Sequence, residues 1–156
     1  MSCDSFGNGN PRKMPKYFFF RAIRLYYATA VKADIKKQNF SVLPRYWYVD
    51  ALVMCADCGN EFYFSADEQK IWYEQYRFYV DAFPIHCIAC RHRRKEISSL
   101  RQEYDRTITP TLRGNDLAAK KRLIIVIDRL CELGGKLQAR VLENRKTLAI
   151  QIAGHN

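Results

Sequence analysis

Two C-x-x-C pairs, Cys55-Ala56-Asp57-Cys58 and Cys87-Ile88-Ala89-Cys90, stand 28 residues apart and constrain this chain more than any other feature. Zn²⁺ takes four ligands in a tetrahedron, at about 2.3 Å when they are sulfur. One C-x-x-C turn presents two thiolates on one side of that tetrahedron, and a second turn closes it. Gly59 directly follows Cys58, where the chain must bend tightly with its amides aimed at sulfur. The interval is longer than the usual ribbon spacing, but it reads as a strand and a capped helix that can bring its ends together. Cys55, Cys58, Cys87 and Cys90 are therefore the candidate metal ligands, with Zn²⁺ the expected cofactor. A C-x-x-C at a helix N-terminus also lowers a thiol pKa, as dithiol oxidoreductases require; two pairs favour metal over redox chemistry. Four protein ligands leave no open position for water, which argues against hydrolytic metal catalysis and for a non-catalytic chain.

The other chemistry-bearing residues read as structural. His86 and His92 flank the second pair and are expected outside the ligand set. Cys3 and Cys131 read as ordinary thiols. Asp67, Glu68 and Glu74 are explained by capping and solvated helix faces better than by an acid–base pair. No Gly-rich phosphate loop or nucleophile elbow occurs.

At 156 residues, the chain suits one domain, or a compact domain with an appended helical piece, and can bury a core of its own. The longest apolar runs, such as Leu123 to Ile127, are too short to cross a membrane. The apolar stretch beginning at Tyr17 is interrupted by Arg21 and Arg24, and no small-residue cleavage site follows. That reads against a secretory signal, with a basic transit peptide as the alternative. The expected compartment is cytoplasmic, where six cysteines suggest metal or redox chemistry before disulfides.

Of the net charge of +10, residues 1–46 carry +7 (nine basic against two acidic). Residues 47–83 carry −5 (two against seven), and 84–115 and 116–156 carry +4 each. Basic flanks around an acidic middle favour phosphate-rich or acidic partners; solubility alone is the competing explanation.

Residues 1–14 read as a mobile lead-in. Phe19, Ile23, Tyr26, Ala30 and Ala33 recur every three or four residues and predict an amphipathic helix over 16–38, with Arg21, Arg24, Lys32 and Lys36 on its polar side. Residues 46–54 and 61–64 read as strands. Ser65 and Glu68 form a capping box that opens a helix to about Phe78, with Gln69, Trp72, Tyr73 and Tyr76 on one face. A further helix is expected from about Ala89 to Asp105, ending before Pro110, with Arg91, Arg94, Lys95 and Arg101 on one flank and Glu96 and Glu103 on the other. Leu123, Ile127, Leu130, Gly134, Leu137, Val141, Asn144 and Leu148 alternate by four and three, the pattern of an antiparallel hairpin or a coiled coil. Two glycines inside one helix would cost roughly 2 kcal/mol, so a break is expected at Gly134-Gly135. Leu148, Ile150 and Ile152 also alternate, which leaves a strand open there.

Taken together, Tyr48-Val49-Asp50, Cys55-Ala56-Asp57-Cys58-Gly59, Phe64-Ser65-Ala66-Asp67-Glu68-Gln69, Trp72-Tyr73-Glu74 and Cys87-Ile88-Ala89-Cys90-Arg91 resemble the probable zinc-ribbon domain of small, mostly bacterial proteins. Many members carry Trp at the Phe64 position and Thr at that of Ser65, exchanges that keep an aromatic and a cap. The resemblance implies a bound zinc and a ribbon or treble-clef-like fold, and no particular chemical activity. The expected fold is α+β: a small zinc-ribbon or treble-clef-like centre, an N-terminal amphipathic helix and a helical C-terminal hairpin. The expected segments are 1–14, 15–45, 46–105 for zinc binding and 106–156 for the helical part.

These features fit three functions. Arg91, Arg94, Lys95 and Arg101 could contact nucleic-acid phosphates, with aromatics stacking on unpaired bases. The run Arg91 to Lys95 could equally serve only to balance the charge of a four-thiolate site. A protein-interaction adaptor or inhibitor would use the amphipathic helices, with self-association through the heptad seam. An oxidoreductase would need one pair free.

Overall fold

The computed structural model describes residues 6–19 and 21–154; the lead-in position Cys3 lies outside them. The chain divides into a first compact unit up to Cys90 and a second from Arg91 onward.

The first unit is built on a three-stranded antiparallel sheet, β1 (Ala22–Lys32), β2 (Trp47–Met54) and β3 (Glu61–Phe64), in that spatial order. β2 and β3 form a hairpin with Ala51 opposite Phe64 and Met54 opposite Glu61. Val49, Ala51, Val53 and Phe64 are buried on one face, while Met54 and Tyr63 are exposed.

β1 replaces the amphipathic helix expected over 16–38. Tyr, Ile, Thr and Val prefer a pleated surface, and pairing with β2 decides the outcome. Two irregularities interrupt the register of β1 against β2. Ala22 and Arg24 face the adjacent residues Val53 and Leu52, while Tyr26 and Val31 face Asp50 and Tyr48. Each extra residue shifts the side-chain phase, and the residues packed on the core are Ala22, Leu25, Tyr27, Ala30, Val31 and Ala33, whereas Ile23 of the expected helical face is exposed. Within the second irregularity the Thr29 hydroxyl donates to Tyr26 O (2.8 Å) and accepts from Asp50 N (2.9 Å), supplying a ladder bond the backbone cannot make.

Helix α1 (Ala66–Lys70) opens as expected, with Ser65 Oγ accepting from Glu68 N at 3.1 Å. Asp50 Oδ1 accepts from Ala66 N (2.7 Å), and the fully buried Gln69 amide donates to Val49 O and Phe64 O. These bonds tie α1 to the sheet. The chain then passes into a π-helical turn, Ile71–Gln75, rather than continuing as a helix to Phe78. Arg77 adopts a left-handed φ of 58°. Gln69 and Tyr73 are buried as the helical face requires, but Tyr76, past the turn, is exposed.

Arg45 is the least expected member of this core. It is fully buried, with Nε donating to Val80 O and Nη2 to Phe18 O, both at 2.7 Å. Its guanidinium lies 4.7–4.9 Å from the ring centres of Phe18, Phe19 and Tyr73. No carboxylate lies within ion-pair distance among the described residues, and burial pulls its pKa below the ordinary arginine value. Backbone carbonyls and aromatic faces hold this cation instead.

The second unit is helical: α2 (Ile88–Arg113, its first turn belonging to the first unit), α3 (Leu117–Glu132) and α4 (Ala139–Ala153). α2 runs through Pro110, beyond the expected end. An interior proline costs about 3 kcal/mol. Ile108 and Leu112 pack into the second core and Thr111 is buried, so tertiary contacts carry the helix past it. Asp116 caps α3, accepting from Ala118 N and Ala119 N. α3 stops where the glycines predict: Gly134 N donates to Cys131 O and Gly135 N to Leu130 O, with Gly134 at φ 72°. This is the paired bonding of a Schellman stop. The alternating tail at Leu148 to Ile152 is helical. Leu123, Ile127, Leu130 and Leu148 are buried with Val126 and Tyr104, so the heptad seam is spent inside the chain. Arg122 pairs with Glu103 and Arg129 with Glu96, joining α3 to α2, and Arg145 of α4 pairs with Asp128 of α3.

Candidate metal centre

The first cysteine pair occupies the turn between β2 and β3. Cys55 N donates to Asn60 O and Gly59 N to Cys55 O, closing a tight knuckle. Gly59 sits at φ 72° with open space where a Cβ would lie. Ala56 N donates to Ile85 O (2.8 Å), which draws the segment before the second pair alongside the knuckle. Cys87 precedes α2 and Cys90 lies in its first turn.

The four sulfurs converge within 4.8 Å of one another, and Cys58 Sγ stands 3.9 Å from Cys87 Sγ. Sulfurs at tetrahedral positions about 2.3 Å from one ion are separated by about 3.8 Å, so the spacing fits a single metal ion. Cys55 and Cys90 are buried, Cys87 is half-buried and Cys58 is exposed. The set is closed, since all four corners are protein sulfur.

The thiols titrate unevenly. Burial works to raise the Cys55 pKa, but amide donors at Cys87, Cys58 and Asp57 outweigh it and bring it down to about 5. One of these is Cys87 N, 3.3 Å from Cys55 Sγ. Cys90 is pushed up to about 12, first by burial and then by the neighbouring thiols. A cation between them favours the thiolate at every position. The N-terminal end of α2 adds a favourable field for that negative charge.

His86 Nδ1 lies 3.4 Å from Asp57 Oδ2, both largely shielded, so His86 braces the knuckle and is not in the sulfur cluster. His92 is exposed on α2, and Cys131, exposed on α3, is not a member of the cluster.

Of the predicted phosphate-contacting residues, Arg94, Lys95 and Arg101 are exposed on α2, with Arg94 and Arg101 seven residues apart on one face. Arg91 is different: it is half-buried and its guanidinium nitrogens Nε and Nη2 are enclosed. Glu96 and Glu103, on the opposite flank, are engaged by Arg129 (2.7 Å) and Arg122 (2.9 Å) of α3. Sequence reasoning missed the buried Arg45, whose only local signal is a basic residue inside the aromatic segment that follows Pro44.

Residues 49–99, about a third of the chain, match the family model described as a probable treble clef domain. This is the stretch that carries the sequence resemblance, and its hairpin knuckle followed by a cysteine-bearing helix start accords with that description. No curated protein and no solved structure matches the chain.

Proposed function

We propose that this treble-clef-bearing chain holds a structural Zn²⁺ on Cys55, Cys58, Cys87 and Cys90, and binds nucleic acid through α2. Zinc suits an all-thiolate, closed set, and the ion would lock the knuckle to the start of α2. The observation that carries the nucleic-acid reading is the charge sorting on α2. Its acidic flank is neutralised by Arg122 and Arg129, while Arg94, Lys95 and Arg101 stand exposed. The helix thus offers a net positive surface for phosphate oxygens. Arg91, with its enclosed guanidinium, is left out of that surface. A dithiol redox role is disfavoured, because both C-x-x-C pairs belong to the cluster.

The test is fluorescence anisotropy with single-stranded and duplex oligonucleotides at several salt concentrations. Binding should fall steeply with salt. The triple variant Arg94→Gln/Lys95→Gln/Arg101→Gln should reduce the slope of log affinity against log salt by roughly 2 to 3. A salt-independent affinity, or a slope unchanged in the triple variant, would refute the reading.

A protein-interaction module is the second reading, favoured by exposed Tyr76, Phe78 and Tyr79 around the left-handed Arg77. Aromatic residues and arginine dominate binding hot spots. Affinity purification with Tyr76→Ala/Tyr79→Ala as the control separates the two: a partner lost with these substitutions and retained by the α2 triple variant favours it.

A further inference from the structure

The second unit holds a groove of about 460 Å³ between α2, the α3–α4 connection and α4. That volume lies within the range of small-molecule sites, roughly 300–1,000 Å³. Its lining is sorted by chemistry. Buried Leu130 and half-buried Ile108, Leu137 and Val141 supply apolar surface. Arg101, Lys136 and Arg140 line it as exposed cations, against the single carboxylate of Asp105. Elsewhere in this unit Arg122, Arg129 and Arg145 each take a carboxylate partner. The three groove cations have none within 4.0 Å among the described residues. Inside the groove Asn144 Nδ2 donates to the Tyr104 hydroxyl at 2.6 Å. That oxygen is thereby used as an acceptor, and its own proton remains to be donated.

From this we infer that the groove binds a small amphiphilic carboxylate, its apolar body against Leu130, Leu137 and Val141 and its head among Arg101, Lys136 and Arg140. The charge excess selects an anion. The apolar floor selects one that carries hydrocarbon, which a bare phosphate or sulfate lacks. The Tyr104 hydroxyl offers a directional donor to the head group. This site uses none of the four cysteines and shares only Arg101 with the proposed nucleic-acid surface.

The probe is octanoate, titrated into the full zinc-loaded chain by isothermal calorimetry, with 1-octanol and octyltrimethylammonium as neutral and cationic counterparts. Octanoate should saturate at one per chain, and bind at least fivefold more tightly than octanol and more tightly still than the cation. Lys136→Gln/Arg140→Gln changes exposed side chains only. It should weaken octanoate roughly three- to tenfold while leaving octanol unchanged. Leu137→Asn should weaken both, with circular dichroism confirming retained helix in each variant. Equal binding of octanoate and octanol, non-saturating uptake, no binding at all, or octanoate affinity unchanged in the double variant would each overturn the proposal.

Discussion

Two glycines in this chain share the same left-handed φ and differ in the element they close. Gly59 and Gly134 both sit at φ 72°, and at both a Cβ would meet no heavy atom within 4 Å. Replacing either with alanine therefore adds no clash. What remains is the cost of holding an L-residue in the left-handed region, about 1–2 kcal/mol. Gly134 ends α3, whereas Gly59 bonds to Cys55 O within the knuckle. Gly59→Ala and Gly134→Ala should thus each lower stability against urea by about 1–2 kcal/mol, and only Gly59→Ala should weaken zinc binding. If the strain falls on the metal-bound knuckle, 1–2 kcal/mol corresponds to roughly a 5- to 30-fold rise in zinc Kd. Competition with a chromophoric chelator measures this. Gly134→Ala should stay within about twofold of the parent, and Gly59→Asn, which tolerates the left-handed region, should fall between parent and alanine. An equal zinc effect from both alanine variants, or none from Gly59→Ala, would refute the reasoning.

Ile127 is fully buried in the helical core and Ile125 is 61% exposed two residues away. Ile127→Ala should cost about 2–5 kcal/mol in chemical denaturation and Ile125→Ala less than about 0.5 kcal/mol. Asp128 is held below its ordinary pKa, chiefly by its hydrogen bond to Arg145. The pair's stabilisation is therefore full above the unfolded aspartate value and is lost as pH falls from about 4 towards the lowered native value. Both partners are about 40% exposed, so the effect should not exceed about 1 kcal/mol. Asp128→Asn should remove that part of the acid sensitivity, as thermal melts between pH 3 and 6 would report.

Local chemistry was readable wherever one residue type had one use. The knuckle cysteines, the Ser65 cap, the β2 and β3 strands and the Gly134-Gly135 stop all follow from short-range rules. β1 did not, because its two register irregularities break a strand's simple alternation. The irregularities exist only in relation to β2, which local periodicity does not see. Pro110 misled for a related reason: the packing of Ile108 and Leu112 against α3 and α4 is a tertiary fact. Arg45 was illegible because its partners, Phe18, Val80 and Tyr73, are brought together only by the fold. The groove of the second unit is likewise assembled from residues between Arg101 and Asn144 that no motif links. At the candidate metal centre, the convergence of the four cysteines was plain in the spacing, but the enclosure of Arg91 was not.

The most direct test of the central claim is native mass spectrometry of the purified chain alongside elemental analysis. One zinc per chain is predicted, lost together in Cys55→Ser/Cys90→Ser and retained in Cys131→Ser. A chain that is folded and carries no metal under native conditions, or one whose zinc survives the double substitution, would contradict it.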